Sequence, residues 1–275
     1  MFHVTGLFLY PVKSLRGFPV AAASVDSLGF FGDRRFLVVD ESGRFLTQRT
    51  LPRMALVSTA LSEGLLRLTA ESFGTITVPT APDPSAPLIA VSVWNQHDLL
   101  AEDCGKEVAE WLDEVLGATC RLVRIGPAFL RPVLRGNPTP DDHFSFADGA
   151  PLLVTSTASL DELNRRIIEN GGDPVPMDRF RPNIVIEGAE PFAEDRWTHL
   201  DIASVRFRTS GPCERCLVTT TDQLSGQRGK EPLKTLASFR RTSGDSAAVL
   251  FGVNLIQETK SGLVNVGDPV SVTTH

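Results

Sequence analysis

The chain has 275 residues, 42% of them hydrophobic and 22% charged, an ordinary globular composition that excludes a wholly disordered or collagen-like chain. Its 27 Lys and Arg against 33 Asp and Glu leave a net charge of −6, a poor balance for general binding of nucleic acid or an anionic membrane. No apolar run approaches the roughly 18–20 residues of a membrane span, the first residues lack the basic start of a signal peptide, and four cysteines are too few for a disulfide scaffold. A cytoplasmic protein with reduced thiols is the expectation.

Residues 1–93 carry mostly strand signals. Phe2, Val4, Leu7, Leu9 and Val12 tend to alternate, and residues 35–40 and 44–48 flank a Glu-Ser-Gly turn, which predicts a hairpin. Two further strands are expected between Leu65 and Val78, followed by a Pro-rich connection over 80–87. A helix is predicted over 102–117, where Val108, Trp111, Leu112, Val115 and Leu116 share a face and Gly117 stops it. Residues 121–125 form a strand candidate. Residues 126–149 are rich in Pro, Gly and Asp and mark a domain junction or a long functional loop. A second helix is expected over 157–170, then strands over 183–187, 203–207 and 216–220. A short helix over 232–241 and a closing hairpin of 263–266 with 270–272 complete the chain. The class is a β-rich mix of α and β with few helices, which favours β-barrels over a doubly wound parallel sheet.

The sharpest local feature is Gly211-Pro-Cys-Glu-Arg-Cys216, placed just before a predicted strand. Such a CxxC is a zinc half-site, a redox dithiol, a thiolate that binds something, or two buried small hydrophobes. Cys104 and Cys120 form no second CxxC and the five histidines are scattered, which disfavours a structural zinc. A thioredoxin-like motif opens a helix, and this one precedes a strand. A second feature is a set of cations in ordered segments: Lys13, Arg34, Arg35, Arg49, Arg179, Arg181 and Arg215. Arginine suits bidentate phosphate recognition, although a solvated face is the usual role of any single one. There is no GxGxxG, Walker loop or HExxH.

Four stretches taken together resemble MOSC-domain proteins with an N-terminal MOSC β-barrel, the group of the mitochondrial amidoxime-reducing component and YcbX-type proteins. They are Tyr10-Pro-Val-Lys-Ser14, Gly32-Asp-Arg-Arg-Phe36 with Thr47-Gln48-Arg49, Arg179-Phe-Arg-Pro-Asn183 with Phe192-Ala-Glu-Asp195, and Cys213-Glu-Arg-Cys216 with Val218-Thr-Thr220. The order and spacing of these stretches run nearly end to end.

The resemblance implies a molybdenum cofactor (Mo-molybdopterin), with Cys216 as the protein ligand of the metal and Arg215 beside it favouring the thiolate. It also implies that Lys13, Ser14, Arg35, Arg181 and Asn183 hold the pterin and its phosphate, with Asp148 near the pterin. Here Gly149-Ala150 follows Asp148, where relatives can carry hydroxyl residues. An N-terminal MOSC β-barrel domain over residues 1–125 and a MOSC domain over 126–275 are expected, with the cofactor in the cleft between them.

The implied reaction is reduction of small N-hydroxylated compounds, hydroxylamines and amidoximes. YcbX-type relatives carry a C-terminal ferredoxin domain, and no four-cysteine cluster for one is present here. Electrons are therefore expected from a separate donor, a flavin reductase with a small electron carrier. Two rival readings stand beside this one: a sulfur carrier using a Cys216 persulfide, and a non-catalytic cofactor-binding protein.

Overall fold

A computed structural model of the chain describes residues 1–136, 138–244 and 247–274. The first half holds β1 (Phe2–Leu9), β2 (Phe18–Val20), β3 (Ala22–Asp26), β4 (Gly29–Phe30), β5 (Phe36–Val39), β6 (Ser58–Ser62), β7 (Leu65–Ala70), β8 (Gly74–Pro79), β9 (Leu88–Val93), β10 (Gln96–Asp103) and β11 (Arg121–Arg124). The second holds β12 (Leu152–Ser156), β13 (Ile184–Glu187), β14 (Trp197–Ile202), β15 (Val205–Arg215), β16 (Val249–Gln257), β17 (Gly262–Asn265) and β18 (Pro269–Thr274). Among the described residues the α-helices are α1 (Lys106–Leu116), α2 (Thr157–Glu169) and α3 (Leu233–Phe239). The β-rich class with few helices is what the chain adopts.

Seven strands close into a barrel in the order β1-β13-β12-β16-β15-β14-β18, with β18 returning to β1. β1 lies against β13 along one edge, and against β18 and then β2 along the other. The interior is apolar: Val4 and Leu7 of β1 meet Ile184, Ile186, Leu200, Ile202 and Leu255, all fully buried. β12 and β13 are parallel, so a crossover must join them, and α2 supplies it. The Ser156 hydroxyl caps that helix by accepting from the Ser159 backbone N–H at 3.1 Å. Of the remaining strands of the first half, β3 and β4 join β17 in the sheet β17-β3-β4, and the others form the sheets β5-β11-β10-β9 and β6-β7-β8. Val108, Leu112 and Val115 of α1 fill the space beside them.

Several elements differ from the sequence reading, each for a local reason. Glu102 and Asp103 belong to β10 rather than to the first turn of α1, because Glu102 is buried in a pair with Arg124 of β11 at 2.7 Å. The 35–48 hairpin is reduced to a bridge between Val39 and Phe45, after which the chain turns at Thr47.

The CxxC does not precede a strand. Cys213 lies in β15, and residues 217–220 form a 3-10 turn. The Thr219 hydroxyl bonds the Cys216 carbonyl at 2.9 Å and Thr220 that of Leu217 at 2.8 Å, so local bonds outcompete β propensity. β17 and β18 form no hairpin: β17 pairs with β3, while β18 runs between β14 and β1. The intervening turn bonds β1 instead, Gly267 N–H to the Val4 carbonyl at 2.7 Å.

Apart from an isolated bridge between Pro132 and His143, residues 126–136 and 138–149 form the expected long loop. Asp142 anchors it, accepting from Lys260 at 2.8 Å, from the Thr139 backbone and hydroxyl at 2.7 and 2.8 Å, and from Arg208. Burial opposes ionisation of Asp142, but the bonds from Lys260, Thr139 and Arg208 hold its carboxyl well below the ordinary range. A depressed carboxylate stabilises above its unfolded pKa of about 4 and loses that stabilisation as pH falls below it. Asp142→Ala is expected to cost roughly 3 kcal/mol at pH 7 and to flatten the acid limb of stability, measured by urea denaturation at pH 3 to 7.

Candidate functional site

The site forms where the turn after β1, the end of the long loop and the segment after β15 meet. β1 runs into Tyr10-Pro-Val-Lys-Ser14, whose backbone is held by Lys13 N–H to Phe36 O at 3.0 Å and by Gln48 Nε2 to Ser14 O at 2.8 Å. Ser14 is buried with a φ of 67°. The turn directs Lys13 inward, where its ammonium donates to the Phe146 carbonyl at 2.8 Å and pairs with Asp148. Burial pushes the Lys13 ammonium down to about 8, against the pull of Asp148. Burial would raise the Asp148 carboxyl, yet the charge and hydrogen bond of Lys13 and the bond from Trp94 Nε1 at 2.8 Å hold it well below the ordinary range.

Arg131 fixes the loop that delivers Asp148. It is 1% exposed, and its guanidinium donates to the Ser145 carbonyl at 2.7 Å and to those of Ala147 and Asp148. Trp94 continues the chain of contacts. The Arg49 guanidinium stacks on the Trp94 ring at 4.1 Å, and its Nε and Nη2 each donate to Cys216 Sγ at 3.3 Å. Arg49 reaches this point because the backbone N–H groups of Thr50 and Leu51 close a turn on the Thr47 carbonyl. Two N–H groups aimed at one sulfur fix its position in the cluster.

A second group of cations adjoins the first. Arg34 and Arg181 lie over the Tyr10 ring, at 4.5 and 4.3 Å. Arg34 also donates to Asn183 Oδ1 at 2.7 Å and to the Arg181 carbonyl at 3.2 Å, and pairs with Asp33. Burial draws the Arg181 guanidinium down to about 10, with Tyr10 opposing. Arg215 donates to Cys213 Sγ at 2.8 Å and to the Phe180 carbonyl at 2.6 Å. Burial pushes the Cys213 thiol up, with Arg215 opposing.

The structure thus brings together Lys13, Ser14, Asp148, Arg181, Asn183, Arg215 and Cys216. Arg35 is turned elsewhere: its guanidinium bonds the Asp26 carboxylate at 2.7 and 2.8 Å and the Phe30 carbonyl at 3.1 Å. Its neighbour Arg34 occupies the cluster. Arg49, Trp94, Tyr10 and Arg131 are also part of it. Arg49 and Tyr10 lie inside the Thr47-Gln48-Arg49 and Tyr10-Pro-Val-Lys-Ser14 stretches, whereas nothing in the sequence around Trp94 or Arg131 marks them.

Two buried donors in the cluster, the Tyr10 hydroxyl and Arg181 Nη1, have no hydrogen-bond partner among the described residues. Unsatisfied donors among converging cations fit an anionic ligand that brings its own acceptors. A soft sulfur donor beside them, Cys216, fits a thiophilic metal. Cys104 and Cys120 do not contribute, since both pack in the core beside α1, where burial pushes their thiols up to about 12.

Two family models match the chain, the MOSC N-terminal beta barrel domain over residues 1–119 and the MOSC domain over residues 141–271. Mitochondrial amidoxime-reducing component 1 of Mus musculus is 34% identical across 97% of this chain and 81% of its own length. The chain belongs to this family of MOSC proteins. The Homo sapiens protein of the same name is likewise 34% identical, across 97% of this chain and 82% of its own. Molybdenum cofactor sulfurase of Danio rerio is 35% identical across 93% of this chain but 32% of its own length, so the chain corresponds to about a third of that relative. No helix among the described residues is long and apolar enough to cross a membrane.

The depressed Lys13 sets a pH dependence. An unfolded lysine titrates near 10.4, so between pH about 8 and about 10.4 the unfolded chain holds more protons than the folded one, and stability rises with pH across that window. Lys13→Met is expected to remove this rise. Urea denaturation of both proteins at pH 8 and pH 10 measures it, and equal slopes would contradict the buried ammonium.

Proposed function

We propose that the chain binds the molybdenum cofactor with Cys216 as the protein ligand of the metal, and uses it to reduce small N-hydroxylated compounds. The observation that carries this reading is the Cys216 sulfur, held by two N–H groups of Arg49 at the edge of a buried cationic cluster with unsatisfied donors. The names of the amidoxime-reducing relatives support the substrate class. Lys13, Arg34 and Arg181 would neutralise the pterin phosphate. Tyr10, Ser14 and Asn183 would orient the pterin, Asp148 would meet its donor groups, and Arg49 would hold the Cys216 sulfur in place. Arg34 takes the part that the resemblance implied for Arg35.

When bound, the cofactor supplies the two electrons of the reduction. With two protons they break the substrate N–O bond, leaving the amine or amidine and water. The electrons come from a separate protein, a flavin reductase acting through a small carrier, because this chain's own cysteines are divided between the core and the CxxC. The sulfur-carrier reading fits less well, since the sulfurase relatives share this chain over about a third of their length.

The test is metal and pterin content after expression in a host that makes the cofactor. Cys216→Ala is expected to abolish activity and deplete molybdenum, while Cys213→Ser retains most of both. Equal and complete loss in the two variants would favour a dithiol. Each charge-assisted contact to phosphate is worth roughly 1.5–3 kcal/mol, so Arg181→Ala is expected to lower cofactor retention about ten- to a hundredfold. Arg34→Ala should follow it and Arg35→Ala should not. Pterin fluorescence on protein with a cooperative melt separates the two arginines, and a larger loss in Arg35→Ala would reverse the assignment.

A further inference from the structure

The residues on either side of Cys216 open onto a groove that the cofactor cluster does not occupy. Arg215 and Leu217 both line it, and its volume is about 420 Å³, within the usual size of small-molecule sites. Its far wall is α3 and the residues next to it. Lys234 and Ala237 stand three apart on one side of α3, and Arg241, just past the helix, is held to the groove by a bridge to Val249. Lys230 precedes the helix on a segment tied down by Gly229 N–H to the Thr220 carbonyl at 3.0 Å.

Four cations therefore face one groove, in a chain whose net charge is −6. Among the described residues the lining contains no carboxylate. Glu231 stands beside it, 3.9 Å from Lys234, but also receives the Thr235 backbone N–H at 3.1 Å. Arg215 spends its N–H groups on a carbonyl and a thiol, and its Nε has no partner among the described residues. Leu217, Leu233 and Val249 supply apolar wall, and Leu217 remains 51% exposed. Four cations with a single neighbouring carboxylate around an apolar floor match a compact organic body bearing an anionic group.

We infer that this groove is the anion-recognising arm of the substrate site, so that the chain prefers N-hydroxylated compounds carrying a carboxylate or phosphate-like group on a small apolar frame. The inference rests on the reductase reading above for its substrate chemistry, and on the groove alone for its anion.

The experiment compares benzamidoxime with 4-carboxybenzamidoxime and 4-phosphonobenzamidoxime, using molybdenum-loaded protein and dithionite-reduced methyl viologen in place of any carrier protein. Calorimetric titration of the same compounds without reductant gives a readout independent of turnover. The anionic compounds are expected to bind about ten-fold tighter than the neutral one, with the better of the two naming the anion. A Lys230→Ala, Lys234→Ala, Arg241→Ala variant should lose that preference and leave benzamidoxime turnover unchanged. If it melts early, Lys234→Glu at an exposed side chain replaces it.

Equal binding of neutral and anionic compounds by the wild-type chain overturns the inference. So does a preference that survives in the variant. A variant altered only in its response to a carrier protein also overturns it, and makes the face a docking surface. Calorimetric preference without turnover of any compound keeps the anion site and overturns the reductase reading.

Discussion

The pairing of Lys13 with Asp148 is the interaction on which the rest of the site depends. Lys13 belongs to the first half of the chain and Asp148 to the loop that leads into the second; the ammonium is buried, a setting that disfavours an isolated charge, while the carboxylate reaches it from a side chain that is 66% exposed. The buried ammonium needs the carboxylate, so the pair ties the two halves together at one point. Everything nearby follows from holding that point still. Arg131 clamps the loop backbone that bears Asp148, Trp94 bonds the same carboxylate, and Arg49 lies on Trp94 with its N–H groups on Cys216. A sulfur at one end and an ammonium at the other are thus joined through a continuous run of side-chain contacts.

The cluster is better satisfied on its acceptor side than on its donor side. Carbonyl oxygens of residues 145–148 are all engaged, while the Tyr10 hydroxyl and Arg181 Nη1 are left over. This asymmetry separates a binding site from a structural ion network, in which donors and acceptors balance. It also explains why a chain with an acidic total charge concentrates arginine in a few short stretches.

Much of this was legible in the sequence, and the failures have physical causes. Alternating apolar positions in β1, the helical face of α1 and the loop over 126–149 were visible because each obeys a local period or composition rule. The order of Lys13, Arg181, Asn183 and Cys216 carried the site. The choice between Arg34 and Arg35 was not accessible, because a shift of one residue along an extended segment reverses the direction of the side chain. Arg34 has a φ of 49°, so it sits in the turn rather than the strand, and only the fold shows which of the two faces Tyr10. The 216–220 segment misled for a different reason: threonine favours strands on average, but its hydroxyl can close a tight turn on a carbonyl three residues back. Trp94 and Arg131 were invisible because their partners are distant in sequence.

The place of β1 in the barrel has a consequence for how the molecule comes into being. His3 lies opposite Pro269, so strands from nearly opposite ends of the chain must meet before the barrel closes. During synthesis β1 emerges early with β2 close behind it, while its barrel partners β13 and then β18 follow much later. Closing so long a loop is entropically costly and tends to be slow. The turn carrying Lys13 springs directly from β1, so the ligand cluster is completed among the last events of folding. A cofactor that recognises the cluster therefore meets an assembled chain rather than a nascent one.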